Sequence, residues 1–329
     1  MNRLKYMMRW VLAFALAAPA ASAALADSYP SKPIRLIVPT GAGSIADVAV
    51  RILAPKWSEF LEQPIVVVNR PGSGGVVASN QVATSEPDGY TLFAGYDSIT
   101  VALPFVQSAV KYTIDSFDYI NGFGISSLYF MVRSDSNYRS VKDVVDAARK
   151  KPGELSYSSY GIGVIAHFAA QRLWDLSKVQ LNYVPYRSSP DAAAALLSKD
   201  VELAVTAGAK VLGKNPQIRL VGVASDARRD EFPAVPTLKE QGYAVSLDFV
   251  IALIAPKGLP AEVKSKLNDA VRKANAKYAD YFREQLSASG DLSYADIPGP
   301  EVYRVWKERQ AWFSETAPRM NLEKREDPK

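Results

Sequence analysis

Short runs of β-branched and apolar residues alternate with longer segments of helical periodicity along most of the chain. This alternation is typical of α/β folds, in which mostly parallel strands are covered by helices. We predict strands over Ile34–Val38, Ile65–Val68, Thr91–Ala94, Tyr129–Val132, Leu155–Ser158, Leu181–Val184, Val201–Val205, Arg219–Ala224 and Phe249–Ala255. Helices are predicted over Ile45–Leu61, Gly75–Ser85, Val141–Lys150, Ile165–Leu176 and Asp191–Leu197, and the chain from Ala261 onward is predicted to be largely helical.

The strand–helix pattern restarts after the turn-like pair Asn121-Gly122, and this restart predicts two lobes. We assign residues 27–123 together with about 234–329 to lobe 1, and residues 124–233 to lobe 2. Each lobe is expected to be a mostly parallel sheet flanked by helices. The predicted fold class is therefore two-lobed α/β.

The first 26 residues have the three parts of a secretory signal peptide. They comprise the basic residues Arg3, Lys5 and Arg9, the apolar segment Val11–Ala18, and small residues at Ala21-Ser22-Ala23 and Ala24-Leu25-Ala26. The apolar segment is too short to span a bilayer, although a retained membrane anchor is the alternative interpretation. Because the sequence has no cysteine, no lipid anchor or disulfide can form. We expect a free, monomeric periplasmic protein, cleaved after Ala23 or Ala26.

Residues that catalyse reactions or bind metals are scarce in this sequence. Zinc and iron sites are not expected, because the chain has one histidine, His167, and no cysteine. A Ser-His-Asp triad would need His167, which lies in the run Ala166–Ala170 and is interpreted as a structural histidine. Removal of the three basic signal residues lowers the formal charge from +5 to +2, which does not indicate a nucleic-acid-binding surface. We expect no catalysis, cofactor, metal or nucleic-acid partner.

Two segments approach nucleotide-binding motifs, but each lacks a required residue. Gly208–Asn215 ends in asparagine where a P-loop needs a serine or threonine for magnesium. Gly161-Ile162-Gly163 follows a predicted strand, yet the acidic residue of a dinucleotide-binding unit is missing at Asn182 and Tyr183. Neither segment therefore predicts a nucleotide site.

Three glycine-containing loops follow predicted strands, and they carry the functional interpretation. They are Thr40–Ser44 with Asp47 in the next helix, Asn69–Gly75, and Tyr160–Gly163. Ligands of open α/β sheets bind at the carboxyl ends of the strands. Glycines allow close approach of a ligand to backbone N–H groups, and a helix N-terminus favours an anion. The pattern predicts a site for a small carboxylate, although each loop alone is also compatible with an ordinary tight turn.

The mature sequence resembles, over essentially its whole length, the substrate-binding receptors of tripartite tricarboxylate transporters, often called the Bug family. The matching motifs are Tyr29–Arg35, Val38-Pro39 with the spacing to Asp47, Asn69–Gly75, Pro87–Leu92, Val184-Pro185-Tyr186, Val235-Pro236-Thr237 and Ala255–Gly258. The resemblance implies a type II periplasmic binding protein, or Venus flytrap, that binds a carboxylate between its lobes. It also implies the membrane subunits of such a transporter as partners.

The resemblance further implies which residues contact the ligand. They are Thr40, Gly41, Ala42, Gly43, Ser44, Ile45 and Asp47 in the first loop, Tyr96, Asp97 and Ser98 after the third strand, Tyr160, Gly161, Ile162, Gly163, Val164 and Ile165 in the second lobe, and Tyr186, Arg187 and Thr206 on the opposite wall.

Some positions depart from the family pattern and affect the expected ligand. Val164 and Ile165 replace a small polar pair, and Thr206 replaces a frequent aspartate that suits an ammonium group. These changes argue against an amino acid and favour a carboxylate with an aromatic or aliphatic body. Two alternative functions stay open: a receptor that presents its bound acid to a signalling partner, and a periplasmic enzyme that uses Asp47 or His167.

Overall fold

Two β-sheets organise the computed structural model, which describes residues 29–186, 188–289 and 292–320. The predicted signal peptide lies outside these residues. The strands are β1 (Ile34–Val38), β2 (Ile65–Asn69), β3 (Thr91–Tyr96), β4 (Phe117–Ser126), β5 (Tyr129–Arg133), β6 (Ser156–Ser159), β7 (Asn182–Pro185), β8 (Leu203–Thr206), β9 (Ile218–Val223), β10 (Phe249–Pro256) and β11 (Leu292–Pro298). The first sheet has the order β11-β4-β10-β3-β1-β2 and the second has the order β7-β6-β8-β5-β9. We call the first sheet with its helices lobe 1 and the second with its helices lobe 2.

Helices connect most of the strands. They are α1 (Ile45–Leu61), α2 (Val76–Ala83), α3 (Leu103–Val106), α4 (Val141–Lys150), α5 (Ile165–Ser177), α6 (Ser189–Leu197), α7 (Ala209–Leu212), α8 (Ala261–Ser289) and α9 (Gly299–Thr316). A π-helical segment over Ser98–Ala102 and 3₁₀ turns over Ser73–Gly75, Ile114–Ser116 and Ala317–Met320 complete the set. In the described ranges, no helix is both long and apolar enough to cross a membrane.

The two sheets are mixed, whereas the sequence predicted mostly parallel sheets. Strands β1, β2 and β3 pair in parallel, but β10 pairs antiparallel with both β3 and β4. In lobe 2, β6 pairs in parallel with β7 and β8, and β5 pairs antiparallel with β8 and β9. Strand β11 also pairs antiparallel with β4. The chain enters two of the reversed strands, β5 and β10, directly after it crosses between lobes. A strand that starts at the inter-lobe edge must run opposite to the strands that end there.

Strands β4 and β11 were missed by the sequence analysis. The sequence predicts a turn at Asn121-Gly122 and a largely helical chain after Ala261, but Gly122 lies inside β4 and β11 interrupts the helices. A Cβ on Gly122 would lie 2.9 Å from Val302 Cγ2, and one on Gly124 would lie 2.8 Å from Leu292 Cδ1. These glycines therefore allow close packing of distant segments on β4, a requirement that no local pattern reveals.

The segments that cross between the lobes meet at Asp248. Its carboxylate accepts hydrogen bonds from the hydroxyls of Ser127, at 2.5 Å, and Ser225, at 2.8 Å. Ser127 follows β4, Ser225 follows β9, and Asp248 precedes β10, so one side chain joins both crossings. Burial raises the pKa of Asp248 above its ordinary value, although both hydroxyls act against that change.

Candidate functional site

The loop between β1 and α1, residues Thr40–Asp47, forms the lobe 1 side of the site. Gly41, Ala42 and Gly43 are exposed, and a Cβ placed on either glycine would meet no atom within 4 Å. Ser44 caps α1 by accepting a hydrogen bond from the Asp47 N–H at 3.3 Å, and its hydroxyl lies 2.5 Å from Thr40 Oγ1. This lobe 1 loop therefore presents open backbone and two hydroxyls, followed by the half-buried Ile45.

The Asp47 side chain fixes the lobe 1 loop from within. Only 2% of Asp47 is exposed, and its carboxylate accepts from the Gly43 N–H and the Asn69 amide, each at 2.9 Å, and from the Arg51 guanidinium. The Asn69 amide also donates to the Thr40 carbonyl at 3.0 Å. Burial alone would raise the pKa of Asp47, but these hydrogen bonds hold it below the ordinary value. Because its oxygens are engaged by the protein, Asp47 positions the loop.

Tyr96, Asp97 and Ser98 follow β3 beside the lobe 1 loop. The Tyr96 hydroxyl lies 3.3 Å from Thr40 Oγ1, and its ring meets Phe249 edge to face at 6.4 Å. Asp97 is fully buried, accepts from the Ser98 N–H at 2.8 Å, and forms an ion pair with Arg309 of α9. Burial raises the pKa of Asp97 to about 6, although Arg309 and the Ser98 N–H favour the ionised carboxylate.

The turn between β6 and α5, residues Tyr160–Ile165, forms the lobe 2 side. Gly161 and Gly163 have φ values of +150° and +71°, a backbone region that glycine adopts readily. Val164 occupies the N-cap position of α5 and makes no side-chain cap. Val164 is half-buried and Ile165 is buried, whereas Ile162 is 37% exposed. This lobe 2 turn therefore leads into a helix whose first N–H groups donate to no capping side chain.

The lobe 2 turn faces lobe 1. A Cβ on Gly163 would lie 2.8 Å from Val106 Cγ2 at the end of α3. Burial raises the pKa of Tyr160, with further contributions from Asp97 and Tyr96, so these three side chains lie close enough to interact electrostatically. Nearby, Phe168 of α5 packs on Phe313 of α9 with ring centroids 4.8 Å apart. The structure thus brings the lobe 2 turn together with Tyr96 and Asp97.

Tyr186 and Thr206, two of the residues expected on the opposite wall, make their contacts within lobe 2. Tyr186 packs on the cluster around Tyr129, Met131 and Leu196, and it lines a surface cavity with Asp191 and other residues of α6. Arg187 lies outside the described residues. Thr206 is fully buried, and its hydroxyl lies 2.5 Å from Ser189 Oγ and 3.0 Å from the Ala207 carbonyl oxygen. The contacts that the structure gives these two side chains are therefore within lobe 2.

His167 lies beneath the lobe 2 turn. It is 3% exposed, its ring stacks on Tyr183 at 3.7 Å, and its Nδ1 accepts from the Gly163 N–H at 3.3 Å. Burial lowers the pKa of His167 to about 3, so the imidazole is neutral at ordinary pH. Among the described residues, no group of three His, Cys, Asp or Glu side chains could hold a metal ion.

Sequence reasoning missed several residues that organise the site. Arg51 lies four residues after Asp47, so helical spacing could have suggested that ion pair. Asn69 was recognised only as part of a motif. Val106, Tyr183 and Arg309 come from elements remote in sequence, and no local signal would have found them.

A comparison with protein families identifies the chain. The family model described as "Tripartite tricarboxylate transporter family receptor" matches residues 49–296. The chain belongs to this receptor family. The match confirms the resemblance found in the sequence.

Individual members of the family are similar to this chain in sequence and in fold. A UPF0065 protein of Bordetella pertussis is 32% identical over 274 residues, which cover 82% of this chain and 84% of that protein. A TctC solute-binding protein from Polaromonas is 28% identical, with a TM-score of 0.74 over 88% of this chain and 99% of that one. The R. palustris protein Rpa4515, solved with adipate, is 25% identical, with a TM-score of 0.77 over 89% of this chain and 98% of that one. These similarities confirm the two-lobed α/β fold of a periplasmic binding protein.

Proposed function

We propose that this receptor captures a small carboxylate between its lobes in the periplasm and passes it, unchanged, to the membrane subunits of a tripartite tricarboxylate transporter. The observation that carries the proposal is the N-terminus of α5. Val164 leaves this helix without a side-chain cap, and its first turn contains no acidic residue. Its N–H groups and the positive end of its dipole are therefore available to an anion.

Several backbone donors suffice for useful affinity. A hydrogen bond to a charged group contributes about 1.5–3 kcal/mol. Micromolar binding corresponds to about 8 kcal/mol. Three or four such bonds, made by the lobe 2 turn and the exposed backbone at Gly41 and Ala42, would account for it without an arginine in the site.

The surroundings of the turn favour an apolar body on the ligand. Tyr160 belongs to the turn, Tyr96 and Val106 lie beside or across from it, and Phe249 packs on Tyr96. Thr206 is buried and hydroxylic, so this position offers no carboxylate to an ammonium group. The relative solved with adipate supports an aliphatic dicarboxylate as one ligand class. We infer a linear or aromatic carboxylic acid in preference to an amino acid.

A thermal-shift screen of the mature protein tests this function. Mono- and dicarboxylates of increasing length are compared with their neutral amides, for example adipate with adipamide. At a hundredfold excess over Kd, a ligand adds about 2.7 kcal/mol to the free energy of unfolding. We expect at least one acid, and not its amide, to raise Tm. Stabilisation by a neutral solute and by no acid would contradict the proposal, as would conversion of the bound acid detected by mass spectrometry.

A further inference from the structure

The lobe 2 turn rests on a stacked pair of rings, His167 from α5 and Tyr183 from β7. Their centroids are 3.7 Å apart and their planes differ by 20°. The pair is well enclosed, because Tyr157 packs against Tyr183 with ring centroids 5.0 Å apart and His167 is 3% exposed. The two rings therefore form a rigid platform directly under the turn.

Each ring holds a different peptide group of the turn. His167 Nδ1 accepts from the Gly163 N–H at 3.3 Å. The Tyr183 hydroxyl donates to the Gly161 carbonyl oxygen and lies 2.7 Å from Ser159 Oγ. Both glycines have positive φ values, and glycine can adopt several other backbone conformations. Contacts with other groups are therefore needed to hold the turn in one conformation.

The hydrogen bonds determine which donors remain for a ligand. The Gly163 N–H is used by His167, and the helical ladder of α5 begins with the Phe168 N–H, which donates to the Val164 carbonyl at 3.1 Å. The N–H groups of Ile165, Ala166 and His167 therefore precede the ladder and lie at the positive end of the helix. An acceptor at Nδ1 requires the proton on Nε2, and burial keeps the imidazole neutral.

We propose that His167 and Tyr183 are positioning residues for ligand capture. Together they fix the peptide groups at Gly161 and Gly163, and so aim the free N–H groups at the start of α5 toward the ligand carboxylate. This inference rests on the proposed carboxylate-receptor function. Neither side chain contacts the ligand, and both act through the conformation of the turn.

Two variants of His167 separate positioning from packing. His167→Asn retains an acceptor near the place of Nδ1, whereas His167→Gln carries its acceptor near the place of Nε2, and both lose the stacked ring. With the acid that gives the largest wild-type shift, we expect His167→Gln to bind about tenfold more weakly than His167→Asn, the loss of roughly one hydrogen bond. Equal affinities of the two variants would overturn the role of the Nδ1 acceptor.

A matched pair of tyrosine variants tests the second ring and remains informative if the His167 variants do not fold. Tyr183→Phe keeps the stack and removes one of the two hydroxyls that donate to the Gly161 carbonyl, so that only the Ser159 hydroxyl, at 3.3 Å, remains. Tyr157→Phe removes a neighbouring buried hydroxyl that lies beside Trp174. We expect weaker binding, by about fivefold to tenfold, for Tyr183→Phe alone. Equal affinities of the two variants would overturn the role of Tyr183.

NMR of the unliganded protein gives a readout that does not depend on binding. Because the chain has one histidine, ¹⁵N spectra contain a single imidazole. We expect its Nδ1 to be unprotonated and the Gly163 amide to exchange slowly. A protonated Nδ1 would overturn the inference even if the protein binds carboxylates. If the wild type bound no carboxylate, the proposed function would be contradicted instead. The protonation state of His167 would still show whether Nδ1 holds the turn.

Discussion

The lobe 1 loop and the lobe 2 turn are built alike but stabilised by different means. Each follows a strand, precedes a helix and contains a glycine at positive φ, Gly43 at +80° and Gly163 at +71°. In lobe 1, charged and amide side chains hold the loop, chiefly the buried Asp47 with Arg51 and Asn69. In lobe 2, a neutral aromatic pair holds the turn.

The difference has an electrostatic consequence. The N-terminus of α1 is capped by Ser44 and carries Asp47 in its first turn, so its donors and its dipole are largely satisfied by the protein. The N-terminus of α5 has neither a capping side chain nor an acidic residue. For the proposed carboxylate ligand, we therefore expect lobe 2 to supply most of the electrostatic attraction, and lobe 1 to supply open backbone, hydroxyls and apolar walls. This asymmetry can be tested from both sides.

The largest expected effect comes from Gly163→Leu. The new side chain would be strained at φ +71° and would press on Val106 across the inter-lobe contact, so the lobes could not approach each other as they do here. Strain of about 1–2 kcal/mol and overpacking of about 1–3 kcal/mol together predict at least about 30-fold weaker binding by calorimetry. Gly153→Leu is the matched control, since Gly153 has φ +72° and nothing within 4 Å of its Cβ. Equal losses in both variants would show that backbone strain alone is responsible.

Asp47→Asn tests the lobe 1 loop. The change removes the charge that accepts from Gly43, Asn69 and Arg51, and it leaves an amide that satisfies them incompletely. We expect the free energy of unfolding to fall by about 1–3 kcal/mol in urea titrations and affinity to fall about tenfold. Asp269→Asn, which breaks an exposed pair with Arg272, serves as the control and should cost less than about 1 kcal/mol. Wild-type affinity in Asp47→Asn would remove the lobe 1 loop from the site.

The neutral histidine predicts a loss of stability that begins near pH 6.5, whereas Asp47 of the lobe 1 loop, whose pKa is lowered from 3.8, loses its stabilisation only in more acidic solution. The pKa of His167 falls from 6.5 to about 3 on folding, so between these values the unfolded chain binds more protons. The contribution of His167 to the free energy of unfolding is therefore fully present above pH 6.5. It decreases on acidification by up to about 1.4 kcal/mol per pH unit. Asp97, whose pKa is raised to about 6, has the opposite effect: its contribution to stability increases on acidification, in the wild type and in a His167 variant alike.

The comparison of wild type with His167→Asn isolates this dependence, because the contribution of Asp97 cancels in the difference. The neighbouring Tyr157 and Tyr183 also stay neutral throughout this range, since burial raises the pKa of each. Urea titrations from pH 7 to pH 4.5 measure the difference. If both proteins lost the same stability on acidification, His167 would not be the buried neutral group described above.

Gly41→Ala should have the smallest effect. Gly41 is exposed, has no atom within 4 Å of an added Cβ, and does not have a positive φ, so the free energy of unfolding should change by less than about 0.5 kcal/mol. If lobe 1 contributes few direct donors, affinity should fall by less than about tenfold, as measured by calorimetry. A loss as large as that of Gly163→Leu would contradict the asymmetry between the lobes.

The local pattern was sufficient for much of the fold. Strand Ile34–Val38 and helices Ile45–Leu61 and Val141–Lys150 have the predicted bounds. These elements follow from periodicity and capping, which depend on residues close in sequence. Strand β4 was missed because its glycines meet their packing partners Leu292 and Val302 far along the chain.

The sequence by itself determined the family, the alternation of strands and helices, and the glycine-containing loops that end the strands. These features depend on local spacing and on the backbone freedom of glycine. Only the tertiary structure decided how the loops are held. Asp47 meets Asn69 across 22 residues, and Asp97 meets Arg309 across 212. His167 stacks on a tyrosine from a neighbouring strand, and Gly163 faces Val106 of the other lobe. Such contacts depend on the order of the strands in each sheet, and this order cannot be predicted from any single segment of the sequence.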